Sequence, residues 1–320
     1  MLQAVDELEV LVVVDNYADT LLPSEPGVIR HPVGEDGRLP SDTLLAEHGL
    51  CLLLKARSGD RSGSILLDAG YSPVAAPRNL DRLGERLEDI SALVVSHGHE
   101  DHVGAAVSLL ERLAEPTIVL HPEAFSVPRY WRSDDGTLYR IPALLKRKEM
   151  IRRGIRIIES PGPTWVADGL FLVTGEIPRA TSFEHGLPGS VKEVNGEFVP
   201  DTVIDDQAVV VDVRGHGLVV ISGCAHAGIV NSIRYARTLM GMRPLYAAIG
   251  GFHLTGEPFR AAIEPTIDAL RDENVCRIVP MHCTGVDAVS RMRTSFRGRC
   301  AISAVGTRFT FPFSFEGPEG

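Results

Sequence analysis

The chain has too few cysteines, in the wrong arrangement, to be held together by disulfides. Cys51, Cys224, Cys276, Cys283 and Cys300 are odd in number and include no CxxC pair, which is thiol usage for a reducing compartment. No run of about 18 consecutive apolar residues occurs, so no transmembrane helix is expected. The opening residues, Met-Leu-Gln-Ala-Val-Asp-Glu-Leu-Glu, place acids where a signal peptide needs a basic region and then an apolar one. The expectation is a soluble cytoplasmic protein with no membrane partner. Positive charge is also in short supply. Lys and Arg total 32 against 42 Asp and Glu, a net charge of −10, which argues against nucleic acid or an anionic membrane surface as the main partner. A homo-oligomer is compatible with this composition.

What is present is ordinary for a globular chain: 44% hydrophobic and 23% charged residues, values that exclude disorder, collagen-like repeats and coiled coils. Length alone permits one large α/β domain or two small ones. Short apolar runs alternate with amphipathic segments. Glu9–Val14 reads as a buried strand, and Cys51–Ala56 with Ser64–Asp68 reads as a hairpin around SGDRSG. Ala92–Ser96 is a β-rich run that leads into HGHEDH and then VGAAVSLLERL at helical spacing. A strand at Thr117–Leu120 follows. Gln207–Val213 and Leu218–Ser222 form a second hairpin. Helices near 229–239, 259–272 and 286–293 then alternate with strands at Leu245–Ile249 and Arg277–Met281. Hairpins mixed with strand–helix–strand units predict two mixed sheets with external helices, a four-layer αββα sandwich.

Two stretches lack periodicity, Tyr17–Pro40 and about 122–154. Both are candidate loops or insertions over a site. The second holds eight Lys/Arg between Arg129 and Arg153 against Asp134, Asp135 and Glu149. It is either a basic lid or a solvated helical surface. Tyr130, Trp131 and Tyr139 within it would stack on a planar ring or cover the core.

The sharpest chemical signal is Ser96-His97-Gly98-His99-Glu100-Asp101-His102 at the carboxyl end of an apolar strand. In extended backbone His97 and His99 point to the same side and can reach one cation. A helix beginning near His102 would put Asp101 in its first turn, where Asp101 and His102 address a second cation. Gly98 would let the backbone bend closely around the site. Without a metal this turn would bury three imidazoles and a carboxylate at high cost. Further ligands must come from other strand ends. His226, His253 and His282 each follow an apolar run and are bracketed by small residues, as at the carboxyl edge of a sheet. His226 and His282 are read as ligands, and His253 as a ligand or a substrate contact. His185, in FEHG, lies in a Gly-rich stretch that would also allow it to approach the metals. Cys224 is either a thiolate ligand or a small apolar residue near the site. Asp68 reads as a carboxylate orienting a ligand histidine. His31, His48, His121 and His216 lack this context.

HGHEDH after a hairpin and LLDAG resembles the metallo-β-lactamase superfamily, which implies an αββα sandwich with one or two metals between the sheets. TGEIPR (174–179), DDQA (205–208), SGCAHAGIVN (222–231), GGFHL (250–254) and HCTG (282–285) resemble the branch that contains the dihydropterin-type synthase of methanopterin biosynthesis. The resemblance covers nearly the whole chain and implies one domain over 1–320, with 122–154 as a lid insertion. It places His97, His99, Asp101 and His102 in the first metal motif and His282 at the last ligand position. Ser222-Gly223-Cys224 departs from the Ser-Gly-Asp of many members, whose Asp bridges both metals, and TGEIPR replaces their Gly-His-Thr ligand. His226 is therefore recruited, with Cys224 bridging or an asymmetric site as the alternatives.

The implied cofactor is two divalent cations, zinc first and manganese or iron next. Such a pair would share a water and lower its pKa, with Asp101 holding the nucleophile and accepting its proton. The expected function is a metal-dependent hydrolase acting on a phosphoester or similar small anionic substrate. The alternatives are a dihydropterin- or phosphoribosyl-type synthase using the same metals as Lewis acids, and a metal-binding sensor without an open coordination position.

Overall fold

The computed structural model describes residues 3–34, 38–125 and 128–312. Eight strands form the first sheet, in the order Val28–Ile29, Arg308–Phe311, Glu7–Val14, Cys51–Ser58, Arg61–Leu67, Ala92–Val94, Thr117–Leu120 and Arg156–Glu159. Six form the second: Thr164–Val166, Phe171–Val173, Ala208–Val213, Gly217–Ser222, Leu245–Gly251 and Arg277–Met281. Both sheets are mixed. Antiparallel hairpins (51–58 with 61–67, 208–213 with 217–222) join runs of parallel strands.

The strand Glu7–Val14 shows why the layers stack. Its side chains alternate between faces, and both faces are apolar. Val10 and Val12 pack between the sheets with Leu52, Leu54, Val209, Val211 and Ile249. Leu11 and Val13 face outward onto Ala76 and Leu80 of the helix Ala75–Arg82 and onto Leu109 of Ala106–Leu110. The second sheet is covered in the same way by the helices Ile229–Leu239, Ile263–Asp272 and Val286–Ser295, through Ile233, Ile267 and Met292. The expected four-layer αββα sandwich is the observed one.

A third, four-stranded antiparallel sheet is an addition to that expectation. Its order is Glu197–Pro200, Ser190–Val194, Arg129–Arg132 and Leu138–Arg140. The basic stretch is thus two strands of this small sheet followed by a short helix, Arg147–Arg152, rather than one solvated helix. Arg129 is buried, with Nη1 3.0 Å from Asp205 Oδ2 and Nε 3.0 Å from Asp201 Oδ2. Arg147 pairs with Glu159, and Arg153 with Glu111 and Glu149. Among the described residues, three of the eight cations of this stretch are thus paired with carboxylates.

Candidate metal centre

Six chain segments leave strand ends at one rim of the sandwich, and each delivers polar side chains there. Asp15 follows Val14, Asp68 follows Leu67, His97 follows the strand ending at Val94, and Cys224 follows Ser222. His253 follows Gly251 and His282 follows Met281. This is where ligand sites in α/β sheets gather, because strand ends leave backbone and side chains free to converge.

The turn 96–102 is held from below. Asp68 accepts hydrogen bonds from Ser96 N and Ser96 Oγ (2.7 Å each) and contacts His102 Nδ1 at 2.6 Å. It therefore aims His102 Nε2 into the site, as expected of an orienting carboxylate. Gly98 N donates to Asp205 Oδ2 (2.8 Å), whose carboxylate also holds Arg129. A β-carbon on Gly98 would lie 2.6 Å from the Ala124 carbonyl oxygen, so only glycine fits. Gln207 secures the same turn through its N–H to Ser96 O and its Nε2 to Val95 O. The DDQA motif is thus support for HGHEDH. Glu100–Val103 forms a short helix with Asp101 in its first turn.

Three imidazoles meet above this turn. His97 Nε2 lies 2.9 Å from His99 Nδ1 and 3.1 Å from His226 Nε2. All three rings are buried. Burial, with neighbouring imidazoles, holds His97 and His226 well below their ordinary pKa. Burial and the Arg129 charge lower His99 to about 4. Three neutral rings whose nitrogens converge on one spot offer lone pairs to a shared cation.

A second donor group comprises Asp101, His102, Cys224 and His282. His102 Nε2 is 3.1 Å from Cys224 Sγ, and His282 Nε2 is 3.3 Å from Asp101 Oδ2. Burial pushes the His102 pKa down, but Asp101 and Asp68 outweigh it and raise it to about 9. Burial disfavours the Asp101 carboxylate, yet His102 and His282 hold its pKa below the usual range. His282 is oriented by its N–H to Asp15 Oδ1 (2.9 Å), while Nδ1 lies 3.2 Å from Asn16 Oδ1. Cys224 belongs also to a third group, with His226 and His253, and so stands between the two larger ones. The His253 ring is 4.4 Å from that of His226, at a backbone φ of +43°.

The structure thus brings together His97, His99, Asp101, His102, Cys224, His226, His253 and His282. His185 shares a cavity of about 30 Å³ with His226 and His253, but it enters none of the donor groups among the described residues. Its neighbour Glu184 takes the N–H groups of Val230 and Asn231 at the start of the helix after His226. Sequence reasoning missed His48, an exposed ring with Nε2 3.6 Å from Asp101 Oδ2, because it follows no strand. It missed Asp15 and Asn16 as well, although Asp15 ends an apolar run just as Asp68 does.

Above the donors lies an open cleft of about 330 Å³, lined among others by His48, Asp101, Trp131, Tyr139, Arg140 and His253. Trp131 and Tyr139 stack at 5.6 Å and 30°, and both are exposed. Tyr130 points elsewhere, edge-on to Phe198 and donating to Glu193. Of the Lys and Arg in the basic stretch, Arg140 lines the cleft among the described residues.

A sequence profile of the metallo-β-lactamase superfamily matches residues 46–240, which span HGHEDH and the Cys224–His226 loop. The chain belongs to the metallo-β-lactamase superfamily. Among its curated relatives is the 7,8-dihydropterin-6-methyl-4-(β-D-ribofuranosyl)-aminobenzene-5'-phosphate synthase of Methanocaldococcus jannaschii, 30% identical over 79% of this chain and 86% of that protein. An uncharacterized protein of the same organism is 29% identical over 77% of this chain and 88% of its own length. The crystal structure of Tm1679, named a metal-dependent hydrolase of the β-lactamase superfamily, superposes with a TM-score of 0.68 at 24% identity, covering 94% of this chain and 98% of that one. The metallo-β-lactamase-fold protein YhfI from Bacillus subtilis gives 0.50 at 15% identity, covering 95% and 100%. At these identities the two structures speak to the fold. Among the described residues no helix is long and apolar enough to cross a membrane.

Proposed function

We propose that this superfamily member is a metal-dependent hydrolase acting on a phosphoester or similar small anionic substrate. The observation that carries this reading is the pair of buried donor groups, His97/His99/His226 and Asp101/His102/Cys224/His282, directly beneath an open cleft. Imidazole, carboxylate and thiolate together suit zinc, with manganese or iron next. Two divalent cations held there would supply Lewis acidity and a water of lowered pKa. The protein's own contribution is orientation. Asp68 and Asn16 fix the His102 and His282 rings, and Asp101 presents a carboxylate able to accept a proton at the cleft floor. His253 and Arg140 face the same space and would contact the substrate.

A second reading is a synthase that uses the same metals as Lewis acids. It is favoured by the exposed Trp131–Tyr139 stack at the cleft mouth, suited to a flat ring, and by the name of the curated relative. Elemental analysis of the purified protein, followed by assays on bis(p-nitrophenyl) phosphate with added Mn²⁺ or Zn²⁺, separates the two. Hydrolysis that depends on the metal is the expected result. No hydrolysis under any metal, with tight binding of a pterin phosphate, would support the synthase. A protein that takes up no metal would overturn both.

A further inference from the structure

A second cavity, of about 1080 Å³, adjoins the metal centre and is used by neither reading above. Cys283 lines both this cavity and the cleft over the donors, and His282 forms part of its wall. From there it runs beneath the helix Val286–Ser295 and the turn that follows it. Val286 (88% exposed), Val289 and Tyr17 (46% exposed) line it, together with the polar Asp15, Asn16 and Thr255 next to His282 and Cys283. Isolated valines at this exposure mean little, but here they flank one concave surface of ligand size. Its far part is cationic. Arg293, in the last turn of the helix, and Arg297, in the turn beyond it, both line it.

Among the described residues neither Arg293 nor Arg297 lies within ion-pair distance of a carboxylate, whereas Arg291 on the same helix pairs with Glu264 and Asp287. Two acids share the cavity wall. Asp15 is committed to Ser303 Oγ and to the N–H groups of Asn16 and His282. Glu25 forms no ion pair with Arg293 or Arg297 among the described residues. The two guanidinium groups thus keep their forked donors for an anion, which guanidinium binds in bidentate fashion.

We propose that this cavity is a second substrate subsite, in which an apolar spacer lies along Tyr17, Val286 and Val289 and a terminal phosphate or carboxylate reaches Arg293 and Arg297. The inference rests on the hydrolase reading only in taking the reacting group to sit at the metal centre. The substrate class is an elongated molecule with an anionic group at each end, one at the metals and one at the arginine pair.

The test uses the metal-loaded full chain and non-hydrolysable probes, α,ω-alkanebisphosphonates of three to ten methylenes, each against the monophosphonate of equal length, by titration calorimetry. The second phosphonate should tighten binding about tenfold at a preferred length. In Arg293→Ala/Arg297→Ala that gain should vanish, while monophosphonate affinity and bis(p-nitrophenyl) phosphate hydrolysis stay unchanged. Arg293→Lys/Arg297→Lys should keep part of it. No gain at any length in the wild type, or a gain that survives the alanine pair, would overturn the subsite. Because these probes are not cleaved, a failed hydrolysis assay with an intact length-dependent gain would sink the hydrolase reading and leave the subsite standing.

Discussion

His102 lies between Asp68, 2.6 Å from its Nδ1, and Asp101, 3.7 Å from its Nε2. In the metal-free protein these two carboxylates raise its pKa from 6.5 to about 9 against the opposing effect of burial. The folded chain then binds more protons than the unfolded chain between those values. This contribution is fully present below about pH 6.5 and is lost as pH rises through 9. Urea unfolding of chelated protein should accordingly show stability falling over that window, by no more than about 3 kcal/mol. Metal uptake, which must displace the same proton, should tighten over the same range. Asp68→Asn keeps the shape but loses the charge that orients the ring, and should cost about 10–100-fold in metal affinity, read by competition with a chromogenic chelator. Unchanged affinity would remove Asp68 from its orienting role. Asp68 was legible in the sequence because it closes an apolar strand before Ala-Gly. His48 was not, since it approaches Asp101 from a loop and no periodicity marks a loop residue that arrives by tertiary packing.

At the scale of elements, the HGHEDH turn depends on a strand far from it in sequence. Arg129, on the small sheet, grips Asp205, and Asp205 holds the Gly98 N–H. Arg129→Met would leave Asp201 and Asp205 buried without their cation, and should destabilise the fold by about 3–5 kcal/mol in denaturant unfolding. Gly98→Ala pushes a methyl onto the Ala124 backbone and should cost about 1–3 kcal/mol together with much of the metal loading. A well-folded, fully loaded Gly98→Ala protein would contradict that packing. The strands of the two large sheets were readable because their runs are apolar on both faces, as in EVLVVV and GLVVIS. The small sheet was hidden. Its strands RYWR, LYR and EFVP carry charge or proline and stay largely exposed, so hydrophobic pattern gives no signal, and they are held by edge pairing and the Arg129 ion pairs. Arg129 therefore read as one more surface cation in a basic stretch.

The whole molecule has one edge where its two sheets are joined by polar chemistry rather than by apolar packing. His97, His99, Asp101 and His102 follow a strand of the first sheet, while Cys224, His226, His253 and His282 follow strands of the second. The two larger donor groups each draw from both layers, so a cation bound in either would tie one sheet to the other across the rim. The remainder of the interface is a continuous apolar core from Val10 and Leu52 to Val211 and Ile249, which should hold without metal. Chelation is therefore expected to lower the melting temperature without unfolding the chain. By mass action the loss is about 4 kcal/mol if free metal stood at 1,000 times its dissociation constant. Hydrogen exchange should locate the change. Amides of 96–102, 223–228 and 282–284 should lose protection on chelation, while those of the strands 8–13 and 209–212 keep theirs. Uniform loss across both sets would mean that the metals support the core as well as the rim. No loss in either would mean that the donors converge without binding a cation.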